Sequence, residues 1–149
     1  MTRAEDATLY FADGYNCSQA VFTSFGKDHG LTEDQCLKIG CAFGGGMGRQ
    51  QLTCGAVTGA LMVLGIFYGR GASDPASNKE TTYRKSLGFC EAFIERNGSV
   101  CCKELLGGLI MNDPSDLEKI KEKRLFETVC VKYVKDAVGI LEQLVPAGS

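Results

Sequence analysis

Cys54-Gly55-Ala56-Val57-Thr58-Gly59-Ala60-Leu61-Met62-Val63-Leu64-Gly65-Ile66-Phe67-Tyr68 is the stretch on which the reading of the fold turns. Its run from Ala56 to Tyr68 is the most apolar in the chain, yet shorter than the roughly 20 residues of a membrane span. A buried core helix, opening near Thr53 and closing at Gly69, is the reading that remains. Gly55, Ala56, Gly59 and Ala60 put small residues at helical spacing, so another backbone can approach closely. Glycine inside a helix costs about 1 kcal/mol relative to alanine. Two of them therefore mark a packing demand, from a neighbouring helix or from a group bound beside Cys54. Close helix packing is the commoner cause.

Outward from this core the chain reads as helix nearly throughout. Ala4 to Asp13 stops at Gly14, and Asn16 caps a second helix from Cys17 to about Asp28. Thr32-Glu-Asp-Gln35 is a capping box that opens a third, to about Ala42. The glycine-rich segment 44–48 reads as loop. Asp74-Pro75 starts a long helix that runs to Asn97-Gly98. Ser99 caps a short one through Leu106, Pro114 or Ser115 opens another, and Thr128 caps the last, to about Leu144. No stretch alternates as a half-buried strand does. The expectation is an all-α, compact bundle of about six to eight helices, a single domain over residues 1–149, with the Gly55–Tyr68 helix at its centre.

Sixteen basic and 18 acidic residues, well mixed, leave a formal net charge of −2. No basic stripe invites nucleic acid, and no electrostatic or inserted membrane association is expected. No long apolar signal region begins the chain, so a cytoplasmic location is expected. Tyr10, Phe67 and the glycine-bearing helix leave room for a homodimer.

Eight cysteines are the unusual feature: Cys17, Cys36, Cys41, Cys54, Cys90, Cys101, Cys102 and Cys130. In a reducing compartment such enrichment points to metal binding or redox work, while small-residue core filling is the bland alternative. Cys17, Cys54, Cys102 and Cys130 each fall in the first turn of an expected helix, on its apolar side. Free backbone N–H groups and the positive end of the helix dipole favour a thiolate there, lowering the pKa. Four such sulfurs facing one interior could pair as disulfides, hold a metal, or cradle an iron–sulfur cluster. Gly55, Gly59 and Arg49 are candidates to contact a bound group beside Cys54, with Arg49 at the lip of the site.

The other cysteines read as structural. Cys36 and Cys41 fill core, and Cys90 belongs to an apolar face with Leu87 and Ile94. Cys101, beside Cys102, has a resolving role open to it. No C-x-x-C occurs, which disfavours thioredoxin-type and zinc-ribbon sites. His29 is the one histidine, at a helix end, and segment 44–48 lacks dinucleotide-binding spacing.

Four elements together carry a resemblance: Gly14-Tyr15-Asn16-Cys17-Ser18-Gln19-Ala20-Val21, Cys54-Gly-Ala-Val-Thr-Gly59, Cys102-Lys-Glu-Leu-Leu-Gly107, and Cys130 with the following Val134 to Leu141. In this order they resemble the C_GCAxxG_C_C family, small prokaryotic proteins described as candidates for redox activity. The resemblance spans essentially the whole chain and implies that the family's signature cysteines fall on Cys17, Cys54, Cys102 and Cys130. One departure stands out: the family name places glycine before cysteine, whereas Cys54 precedes Gly55. Three functions stay open. They are a dithiol–disulfide protein serving a redox partner protein or small thiol, an iron–sulfur or other thiophilic metal protein, and a helical module with core cysteines.

Overall fold

Local capping chemistry starts the first three helices. Thr2, Asn16 and Thr32 each accept the N–H three residues on, and Glu5, Gln19 and Gln35 return the bond. Arg3–Ala12, Cys17–Gly26 and Glu33–Cys41 follow. The computed structural model describes residues 1–149 and contains eight right-handed α-helices and no β-strand. The remaining helices are Gly55–Tyr68, Ser77–Asn97, Cys102–Leu105, Pro114–Glu122 and Val131–Leu144, the last entered through a π-helical turn over Phe126–Cys130. No helix is long and apolar enough to cross a membrane.

The centre of the bundle is Cys17–Gly26 rather than Gly55–Tyr68. Every residue from Ser18 to Gly26 is buried, whereas Leu61, Met62 and the last turn of the more apolar helix are half-buried or exposed. The reason is size. Ser18, Ala20, Thr23 and Ser24 leave the central helix slim enough to be enclosed by its neighbours on several sides. A Cβ at Gly59 would lie 2.8 Å from the Ser18 carbonyl oxygen, and one at Gly40 would lie 3.2 Å from the Cα of the next residue, Gln19. Gly59 is thus a helix-packing residue, and the expectation that it contacts a bound group is corrected. Phe25, Leu64, Phe89, Phe93, Val134 and Leu141 fill the space around this core.

Several boundaries shift for identifiable reasons. Asp74 does not cap the long helix: its carboxylate accepts the Gly71 N–H at 2.6 Å, and the helix begins at Ser77. That helix turns Phe89 and Phe93 inward, leaving Leu87 66% and Ile94 43% exposed and Cys90 half-buried. The Leu87–Cys90–Ile94 face is therefore the outer one, because two phenylalanines bury more apolar area than the competing stripe. Segment 44–48 is not an open loop. Gly45, Gly46, Met47, Gly48 and Arg49 all have φ between 62° and 67°, forming a left-handed turn. Its Gly48 N–H donates to the Gly44 carbonyl. Left-handed backbone costs about 1–2 kcal/mol for a residue with a Cβ, which Met47 and Arg49 both carry.

Candidate functional site

One cavity of about 630 Å³ is lined by Cys17, Cys54, Cys102 and Cys130 together. Four separate devices bring them there. Cys17 is the first residue of its helix, set by the reciprocal Asn16–Gln19 cap, and the Asn16 amide also donates to the Cys41 carbonyl at 3.0 Å. Cys54 and Cys102 are joined through backbone. An antiparallel bridge pairs Thr53 with Cys101, the Cys54 N–H donates to Val100 at 2.7 Å, and the Cys102 N–H donates to Leu52 at 2.6 Å. Cys130 ends the π-helical turn, whose extra residue per turn shifts the helix face.

The left-handed turn presses against this arrangement. A Cβ on Gly46 would sit 2.8 Å from the Cβ of Cys102 and 2.7 Å from the Cα of Gln51, so no side chain fits. Gln51 in turn is buried and clamps residues 109–111. Its amide donates to the Leu109 carbonyl at 2.8 Å and accepts the Met111 N–H at 2.7 Å. Arg49 and Gly55 also line the cavity, as the sequence suggests, while Gly59 does not.

Electrostatics separate the four sulfurs. The Cys17 thiol hydrogen-bonds to Cys130 and holds the Cys130 pKa below its ordinary value, against burial and the Glu127 carboxylate. The same bond, then burial, then the neighbouring cysteine charges push Cys17 well above its own. Burial pushes Cys54 up to about 11, although the Ala56 and Val57 amides favour its thiolate. Burial, followed by the charges of Cys54 and Cys130, pushes Cys102 up to about 12.

The expectation of four first-turn thiolates is therefore corrected. Cys54 is the residue before its helix, and Cys130 lies within a continuous helical segment, not at a free start. The one sulfur with a lowered pKa is the one without a helix N-terminus. In an apolar cavity, desolvation outweighs what helix ends contribute, and a direct hydrogen bond decides.

Tyr133 was not legible as a site residue, although it stands three residues beyond Cys130 and so on the same helix face. Its hydroxyl donates to the Leu105 carbonyl at 2.8 Å, and its ring borders the cavity with Phe11, Tyr15 and Phe126. Burial, then the charges of Cys130, Cys54 and Cys102, push its pKa up. The remaining cysteines stand apart. Cys36 is core, with its sulfur against Gly26, whereas Cys41 is exposed, contrary to the core reading. Cys101 turns its sulfur to the Gln51 carbonyl, away from the cavity. His29 is half-buried, with Nδ1 2.7 Å from the Phe25 carbonyl and its ring against Phe67.

No three His, Cys, Asp or Glu side chains are grouped as one ion requires. In this arrangement the residues do not fit a single metal ion.

Comparison with known proteins agrees in family and adds no substrate. An uncharacterized protein of Archaeoglobus fulgidus is 24% identical over 132 residues, covering 84% of this chain and 81% of its own length. No solved structure matches. The family model described as "Putative redox-active protein (C_GCAxxG_C_C)" matches residues 15–144, and the chain belongs to that family.

Proposed function

We propose that the protein is a dithiol–disulfide exchange protein, with Cys17 and Cys130 as the reacting pair and Cys54 and Cys102 as a second pair behind it. The observation that carries this reading is the convergence of Cys17, Cys54, Cys102 and Cys130 on one accessible cavity. A nucleophilic sulfur must be ionised, and Cys130 is the member of the set favoured as thiolate. Its neighbour Cys17 keeps its proton and stands ready to resolve a mixed disulfide. Conversion of the pair, one thiolate and one thiol, to a disulfide releases two electrons and one proton, which an acceptor disulfide on a partner protein or a small molecule takes up, leaving one thiol and one thiolate. Cys54 and Cys102, held by one backbone bridge and protonated, serve to return the electrons.

The test is peptide mapping of fully reduced protein after one equivalent of a mild disulfide oxidant. A Cys17–Cys130 cross-link as the first product is expected, and Cys17→Ala should trap the oxidant on Cys130 as a mixed disulfide. Oxidation that begins at Cys41 or Cys90, with the cavity thiols still reduced, counts against the assignment.

A further inference from the structure

A second recess, of about 440 Å³, adjoins the thiol cavity and shares Arg49, Met111 and Phe126 with it. Lys121 stands on its wall, and no aspartate or glutamate lines it. Both cations are free of ion pairs. None of the nearest acids lines the recess, though Glu127 lines the thiol cavity itself. Asp113 caps the Pro114–Glu122 helix through the Asp116 N–H, Asp116 accepts the Ile110 N–H at 3.0 Å, and Glu127 lies 4.0 Å from Arg124.

Arg49 is anchored at its backbone and along its stem. Its carbonyl accepts the Asn112 amide at 3.0 Å, and its stem crosses Gly45 so closely that a Cβ there would lie 2.8 Å from the Arg49 Cγ. The left-handed turn adds no anion cradle of its own, since the N–H groups of Met47, Arg49 and Gln50 are spent on carbonyls within it. One guanidinium and one ammonium, without converging amides, suit a carboxylate.

We propose that this recess binds the carboxylate of a low-molecular-mass disulfide whose sulfurs enter the thiol cavity. The proposal rests on the dithiol reading above and names its substrate class. The Cys130 thiolate attacks one substrate sulfur, forming a mixed disulfide and releasing a substrate thiolate. The Cys17 sulfur then attacks Cys130 and yields its proton to the second leaving sulfur. The protein disulfide forms, the substrate disulfide is reduced to one thiol and one thiolate, and atoms and charge balance.

The experiment compares oxidation rates of reduced protein by three synthetic disulfides: 3,3′-dithiodipropionate (dianionic), hydroxyethyl disulfide (neutral) and cystamine (dicationic). Wild-type protein should favour the dianion over the neutral probe by about tenfold or more, with the preference shrinking as salt rises. In Arg49→Ala/Lys121→Ala protein that rate ratio should fall by a similar factor. Equal rates for the three probes, or a ratio unchanged in the double variant, overturn the carboxylate site while leaving the dithiol reading intact. Cavity thiols that react with none of the probes overturn both.

Discussion

Cys130 and Cys102 share one cavity and shift in opposite directions, because a single hydrogen bond reaches one and only burial and like charge reach the other. Removing that bond should remove the difference. Cys17→Ala is expected to raise the Cys130 pKa, and its alkylation by iodoacetamide at pH 7 should slow about tenfold for each unit of the rise. An unchanged pH midpoint would show that Cys17 does not set it. The two raised thiols make a separate forecast about stability. Cys54 and Cys102 stay protonated in the fold at a pH where the unfolded chain, with thiols near 9.0, releases those protons. Their contribution is intact below about pH 9 and is lost as pH rises toward about 11 and 12. Thermal unfolding followed from pH 8 to pH 10.5 should show the Tm falling, with a shallower fall in Cys54→Ala protein.

At the scale of the element, the glycines divide by what surrounds them. Gly59→Ala drives a methyl group into the Ser18 backbone, which neither helix can yield cheaply, and should destabilise by about 1–3 kcal/mol. Gly88 lies in the middle of the Ser77–Asn97 helix with open space where its Cβ would be. Gly88→Ala should therefore stabilise, by about 0.5–1 kcal/mol. Urea unfolding measures both, and the same sign for the two would contradict the packing account. The capping boxes at Thr2, Asn16 and Thr32 were legible because they are local: donor and acceptor lie three residues apart. The bridge between Thr53 and Cys101 was not, since its partners are distant in sequence and too short a pairing to leave an alternating pattern.

Across the whole molecule the decisive choice is which apolar stripe of the Ser77–Asn97 helix faces inward. Phe93 is fully buried and Leu87 is largely exposed. Phe93→Ala should cost about 3–5 kcal/mol, and Leu87→Ala less than about 0.5 kcal/mol. Comparable losses at the two positions, read from denaturant midpoints, would place the wrong face in the core.

The sequence by itself determined the all-α class and most helix starts, because capping and periodicity act over a few residues. It singled out the four cysteines that line one cavity, although Cys54 and Cys130 do not hold the helix-start positions expected of them. It also pointed to Gly55 and Arg49 on the cavity wall. Only the tertiary structure decided that Cys17–Gly26 is the enclosed helix and that Gly59 serves packing. It also decided that segment 44–48 winds left-handed beneath Cys102, and that Cys130 is the sulfur favoured as thiolate. Each of these outcomes is a competition between segments far apart in the chain. Two phenylalanines outweigh a leucine stripe, and burial outweighs helix ends until a neighbouring thiol supplies its proton.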